Sequence, residues 1–486
     1  MTQQQLEKYL WGAATLLRGT IDAGDYKQYI FPLLFFKRIC DVYDEEFENA
    51  LAESDGDIEY AAFAEHHNFI IPKGAHWNDV RETTVNVGMK LQDAMRSIEQ
   101  ANPDTLFGIF GDASWTNKDR LSDETLTNLI EHYSQHKLNL KAVADDKLGN
   151  AYEYLIKEFA DDSGHTAAEF YTNRTVVKLM TMIMDPQPGE SVYDPTCGSG
   201  GLLLNCALHL KEEGKEYRTL KLYGQEINLL TSAIARMNMF MHGIEEFSIV
   251  RGDTLAQPAF LHNDELKKFN VILANPPYSI KAWDQKGFAS DPYGRNLWGV
   301  PQQGCADYAF QQHIQKSLDA KNGRSISLWP HGVLFRDSEA EMRRKMIEAD
   351  VVEAVISLGP NLFYNSSMVS CLLITNNNKS KERKNKVLFI EAVKEVRSEK
   401  TMSYLDPQHI KRIHKAYLNF TDEDEFSAVV MTEEILEDNH ARLSVQLYVK
   451  GPQTEKEDFS KLLNNWNMSS KELKESMNEL FKTIEA

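Results

Sequence analysis

Apolar residues in the first third of the chain recur at helical spacing. Leu10, Ala14 and Leu17, then Ile30, Leu33, Leu34, Ile39 and Val42, mark the buried stripes of amphipathic helices. No strand-like alternation of useful length interrupts them, so residues 1–145 are expected to form a helical domain. Pro32 should sit at the start, or at a kink, of the second helix, because it cannot donate an amide hydrogen bond. The acidic stretch from Asp41 to Asp57 reads as a solvated helix face and loop.

Over residues 146–400 the pattern changes to short apolar runs separated by helical segments. The runs are SVYDP (191–195), LYGQE (222–226), FSIVRGD (247–253), FNVILANPP (269–277), SISLWP (325–330), VVEAVISL (351–358) and CLLIT (371–375). Strands alternating with helices predict a doubly wound, mostly parallel α/β sheet. Ligands of such sheets bind beyond the carboxyl ends of the strands. Residues 401–486 turn polar and helical again. Between 459 and 484, Phe459, Leu463, Trp466, Ser470, Leu473, Met477, Leu480 and Ile484 follow a 4,3 spacing, and all but Ser470 are apolar. That is the seam of a coiled coil, suited to docking on a partner's helix.

Charge and motif content then exclude several classes. The formal charge of −19 argues against unaided wrapping of nucleic acid. It divides as −11 over 1–150, −2 over 151–400 and −6 over 401–486, so the acid belongs to the flanking regions. Five scattered cysteines without a C-x-x-C pair point to a reducing cytoplasm and exclude a zinc ribbon. There is no G-x-x-x-x-G-K-[ST] and no H-E-x-x-H, hence no P-loop motor and no metal site of that kind. The start of the chain lacks signal-peptide character, and Tyr29–Phe36 is too short to span a bilayer.

Two motifs carry chemistry. Asp194-Pro-Thr196-Cys-Gly198-Ser199-Gly200-Gly201 follows a strand and opens an apolar helix, where glycines let the backbone approach a ligand. Asp194 can pair with an ammonium. The next strand ends in Gln225-Glu226, placed for ribose hydroxyls, and a third in Arg251-Gly-Asp253, where a carboxylate can accept from an adenine amino group. An adenosine joined to an ammonium describes S-adenosylmethionine. The second motif is Asn275-Pro276-Pro277-Tyr278, after the strand NVILA. Two prolines stop the strand and stiffen the loop. The Asn275 amide oxygen and the Pro276 carbonyl can then accept from one exocyclic NH2 and favour its pyramidal, attacking form. Tyr278 offers a face for a planar base, which in duplex DNA requires base flipping. Cys197 reads as a small filler, Met237, Met239 and Met241 as core, His331 as a turn residue, and Lys381–Lys386 as a solvated hairpin.

With these residues the chain resembles the modification (M) subunits of type I restriction–modification systems, which are N6-adenine DNA methyltransferases. Asp194–Gly201 and Asn275–Tyr278 look like motifs I and IV of amino-methyltransferases. The resemblance implies a Rossmann-like methyltransferase sheet over 146–400, with the helical stretch LWGAATLLRGTIDAGDYKQYIFPLLFFKRICDVYDEEF before it and a partner-binding tail after it. Glu169-Phe170-Tyr171-Thr172-Asn173-Arg174 looks like motif X, which closes over the methionine end of the cofactor, with Asn173 where the family usually has Pro. That change bears on loop rigidity more than on binding. Asn361-Leu-Phe363 matches the segment whose aromatic residue packs on the extruded base, and Asp307–Phe310 resembles the helix after the catalytic loop. The implied partners are double-stranded DNA, a specificity (S) subunit at two M per S, and an ATP-driven restriction (R) subunit. Methylation of a protein glutamine or an RNA base amino group is the alternative, since Asn-Pro-Pro-Tyr alone serves those NH2 groups too.

Overall fold

The computed structural model describes residues 1–162, 172–362, 368–399 and 402–449, with 463, 466–471, 473–474 and 476–477 of the tail. Helix α1 (Gln3–Leu17) is opened by a capping box between Thr2 and Gln5 and buries Leu6, Leu10, Ala13, Ala14 and Leu17. Helix α2 (Lys27–Glu53) starts ahead of Pro32, which therefore lies in its second turn. Every residue from Tyr29 to Val42 is buried, because α2 runs through the middle of the helical domain.

Charges on that central helix are satisfied internally. Arg38 donates to the Val143 carbonyl at 3.0 Å and to Asp145 at 2.7 Å, and Lys37 pairs with Asp41. Asp41 also accepts from the Leu138 amide at 2.7 Å, and Glu45 from that of Lys141 at 3.1 Å. Asp41 and Glu45 of the acidic stretch are therefore buried, while Asp44 and the carboxylates from Glu48 onward reach solvent. The two buried carboxylates are anchors, contrary to the sequence expectation.

Helices α3 (Val87–Ala101) and α4 (Asp123–Ser134) complete this layer together with α5 (Asp145–Asp162). Leu148, Ala151, Tyr152, Leu155, Ile156 and Phe159 of α5 belong to the same apolar core as α1 and α2. Although α5 follows the expected boundary at 145, its amphipathic face packs on the helical domain.

The sheet comprises β1 (Ser191–Asp194), β2 (Lys221–Glu226), β3 (Phe247–Arg251), β4 (Val271–Ala274), β5 (Arg324–Pro330), β6 (Val352–Leu358), β7 (Ser370–Asn376), β8 (Lys386–Ala392) and β9 (Ser427–Met431). Their order is β9-β8-β6-β7-β5-β4-β1-β2-β3. All pairings are parallel except those of β7 with β5 and β6, and of β9 with β8. Seven strands fall where the apolar runs predicted them. Two were not anticipated: β8, which follows the basic run Lys381–Lys386, and the half-exposed edge strand β9. Because β9 pairs with β8 from Lys386↔Met431 to Ile390↔Ser427, the expected boundary at 401 cuts through the sheet domain.

Helices α6 (Arg174–Met184), α7 (Gly201–Glu212) and α11 (Pro407–Asn419) cover one face of the sheet. Helices α9 (Asp307–Ser317) and α10 (Ala340–Glu348) cover the other. Helix α8 (Leu229–Met241) joins the two domains. Its Met237 and Met241 enter the helical core while Met239 enters the sheet core. Of the heptad seam, Leu463, Trp466, Leu473 and Met477 are helical and 45%, 67%, 64% and 48% exposed. Phe459, Leu480 and Ile484 lie outside the described residues.

Candidate active site

Strand order reverses between β1 and β4, and the two motifs end these neighbouring strands. Beyond β1 the chain turns through Gly198 (φ 53°) and Gly200 (φ 80°) into α7, a left-handed course that the glycines make free of strain. Gly201 is equally constrained by space, since a Cβ there would lie 1.9 Å from the Arg174 guanidinium. The Gly198 amide donates to Glu226 at the end of β2 at 3.1 Å. Asp194 accepts from the Thr196 amide at 3.0 Å.

Asp194 is 1% exposed. Burial pushes its carboxyl up to about 8, Glu226 adds to the rise, and among the described residues no cation offsets it. Two converging carboxylates around a cradle of backbone amides fit a cationic ligand carrying hydroxyls, which is the chemistry of S-adenosylmethionine. Asp253 at the end of β3 is exposed, with one oxygen accepting from the Leu255 and Ala256 amides at 2.9 and 3.1 Å. Gln225 is corrected from its expected ribose role. It is fully buried, donates to the Gln257 carbonyl at 2.9 Å and accepts from the Ala259 amide at 3.0 Å.

Beyond β4, Asn275 donates from its Nδ2 to the Thr172 hydroxyl at 3.0 Å, and its Oδ1 accepts from the Tyr278 hydroxyl at 2.7 Å. An amide oxygen has a second lone pair, so it can still accept from a substrate amine. Pro276 is buried, Pro277 exposed and Tyr278 half-buried, its ring 6.3 Å from that of Trp329. The backbone turns sharply at Ser279 (φ 51°), whose amide donates to Asp307 at 2.7 Å. Asp307, at the start of α9, is buried and paired with Arg336. Asn275, Thr172, Arg174, Asp194, Thr196, Gly198, Ser199 and Gly201 line one pocket, so both motifs open into the same space.

The Asn173 that replaces the family's proline is a buried anchor. It donates to the carbonyls of Ser403 (2.8 Å) and Leu362 (3.3 Å) and accepts from the Thr175 amide (3.0 Å) as the cap of α6. Hydrogen bonds to two distant loops supply the stiffness that a proline ring would. Glu169, Phe170, Tyr171 and Phe363 lie outside the described residues. In the sequence Asp307 stands out only as part of a helix, and neither Arg336 nor Thr172's hold on Asn275 carries a sequence signal. Cys197 is buried with its thiol pushed up by burial, so it is no nucleophile. His331 bonds to the Ser370 carbonyl at 3.0 Å, and Arg383 of the basic turn pairs with Glu353 at 3.4 Å; both serve the scaffold.

Comparison with known proteins agrees with this geometry. The model of the N-6 DNA Methylase family matches residues 143–458, and that of the HsdM N-terminal domain matches 6–133. The type I restriction enzyme MpnII methylase subunit of Mycoplasma pneumoniae is 29% identical over 95% of this chain and 92% of its own length. The MjaVIII methylase subunit of Methanocaldococcus jannaschii is 31% identical, covering 94% of this chain and 80% of that one. A crystal structure of the type I restriction-modification system methyltransferase subunit from Streptococcus thermophilus superposes with a TM-score of 0.80 at 30% identity, over 93% of this chain and 100% of that one.

Proposed function

The chain belongs to the N-6 DNA methylase family, as a methylase subunit of type I restriction–modification systems, and we propose that its two motifs hold S-adenosylmethionine and an extruded adenine in one cavity. It is an adenine-N6 DNA methyltransferase of a type I complex, which leaves a glutamine or RNA substrate unfavoured. The observation that carries the site assignment is the shared pocket, lined by both Asp194 and Asn275.

When bound, S-adenosylmethionine supplies an electrophilic methyl on a sulfonium. Asp194 ionises to meet the ammonium, Glu226 accepts from the ribose hydroxyls and Asp253 from the adenine amino group. The amides of Gly198–Gly201 and the side chains of Thr196 and Ser199 line the methionine end, bordered by Thr172 and Arg174 of the motif X segment. At the other end Thr172 fixes the Asn275 amide by accepting from its nitrogen, which turns the oxygen toward the substrate amine. That oxygen and the Pro276 carbonyl draw on the two N6 hydrogens and raise the nucleophilicity of the nitrogen. Tyr278 and Phe363 hold the flipped base, and Pro277 keeps the loop stiff.

The proposed assembly is two such chains on one specificity subunit, which reads double-stranded DNA, with a restriction subunit joining the full complex in the cytoplasm. The exposed tail residues Trp466 and Leu473 support a helical docking surface, and the −6 charge of 401–486 suits protein better than phosphate. Among the described residues no helix is long and apolar enough to cross a membrane. Tritiated methyl transfer from S-adenosylmethionine to DNA by this chain with its specificity partner tests the function, and label appearing anywhere but adenine N6 would refute it. Deleting 455–486 should abolish co-purification with that partner. An intact complex after deletion would return the tail to packing on its own protein.

A further inference from the structure

The joint between the helical domain and the sheet domain is a helix pair, α5 against α8, with a regular set of contacts. A Cβ at Gly243 would lie 2.7 Å from Asp145, and one at Gly149 would lie 2.4 Å from the His242 ring. One further turn along α5, Glu153 accepts from Asn238 Nδ2 at 2.6 Å. Positions 145, 149 and 153 form one face of α5 at a spacing of four. The face is dovetailed onto α8, and its last member is a carboxylate next to the cofactor loop.

The Glu153 side chain is only 16% exposed, and both its oxygens are engaged on the sheet side of the joint. One pairs with Nε of Arg174, the first residue of α6, and the other with Asn238. Arg174 lies against Gly201 so closely that no side chain fits between them, and its Nη1 reaches the Thr172 carbonyl at 3.5 Å. Asn238 donates in addition to the Ser199 carbonyl at 3.1 Å. Burial by itself would raise the Glu153 carboxyl, but the charge of Arg174 holds it below its ordinary range, so it is an anion at neutral pH. A charge-assisted contact of this kind fixes geometry as well as adding strength.

We propose that Glu153 is a positioning residue for cofactor binding: from the helical domain it holds Arg174 and Asn238, and through them it sets the Thr172 and Gly198–Gly201 backbones that form the methionine end of the cavity. Helix α5 thereby supports the cofactor site from the helical side of the joint. This inference rests on the reading of that cavity as the S-adenosylmethionine site.

Calorimetric titration of the full chain with S-adenosylmethionine, and methyl transfer by the complex, test it. Loss of one charge-assisted contact predicts that Glu153→Gln binds the cofactor roughly 10-fold more weakly. The rate at saturating cofactor should fall less than the affinity, because Glu153 reaches Asn275 only through Arg174 and Thr172. Asp146→Asn removes the exposed Asp146–Lys211 pair (2.7 Å), a contact of α5 with α7 between the same two domains, and should leave affinity unchanged. Wild-type affinity in Glu153→Gln overturns the proposal, as does an equal loss in Asp146→Asn, which would assign the effect to the joint as a whole. If Glu153→Gln fails to fold, Glu153→Asp replaces it with the same two readings: weakened binding supports the proposal and wild-type binding overturns it. A wild-type chain that takes up no S-adenosylmethionine would instead sink the site assignment itself.

Discussion

The cofactor loop after β1 and the catalytic loop after β4 leave adjacent strands of one sheet, yet they are held in different ways. The cofactor loop is shaped by its main chain. Gly198 and Gly200 turn it, Gly201 admits Arg174, and its amides meet the carboxylates of Asp194 and Glu226. The catalytic loop is shaped by side chains from elsewhere. Thr172 holds the Asn275 amide across 103 residues of sequence, and Asp307 with Arg336 fastens the turn at Ser279. A main-chain cradle meets its ligand through backbone amides, whereas an amide that must present its oxygen needs a specific partner on its nitrogen.

The largest effect should come from removing that oxygen. Asn275→Ala is expected to lower methyl transfer roughly 100- to 1,000-fold, as loss of a transition-state acceptor does, with cofactor affinity unchanged by calorimetry. Undiminished transfer would break the assignment of the catalytic loop.

Asp194→Ala strikes the other loop. Losing a buried charge partner should weaken cofactor binding roughly 100-fold. Because burial beside Glu226 pushes the Asp194 carboxyl up to about 8, the cationic cofactor must displace a proton below that pH. Wild-type affinity should therefore climb as pH rises toward 8 and level off above it, and the variant should lose this dependence. The same raised value means that the folded, cofactor-free chain binds a proton that the unfolded chain releases near 3.8, so Asp194 costs stability progressively from there up to about pH 8. A pH-independent affinity in the wild type would place the cofactor's charge elsewhere.

The smallest effect sharpens the contrast between side-chain and main-chain anchoring. Asp307→Asn keeps an oxygen for the Ser279 amide but loses the pairing with Arg336, and should slow transfer about 10-fold by loosening the loop. Cofactor affinity should not change. An equal loss in both quantities would show that the two loops are one unit.

Much of the fold was legible because it is local. Seven apolar runs became strands in their expected places, and the Gly-rich and Asn-Pro-Pro-Tyr segments ended the strands that the pattern had assigned to them. Strand termini, turns and glycine conformations depend on neighbours within a few residues, so the amino-acid order determines them directly. What escaped was non-local. The extent of both domains depended on which core α5 and β9 would join, and their own periodicity cannot choose between partners. Asn173 looked like a loss of stiffness until Leu362 and Ser403 proved to lie beside it. Gln225 and Glu226 were equivalent acceptors in the sequence, and burial against the 257–259 loop separated them. The residue types proposed for methyl transfer can thus be read along the chain. The orientation of each polar group was decided by tertiary structure, because a hydrogen bond requires a partner within about 3 Å and sequence distance says little about that.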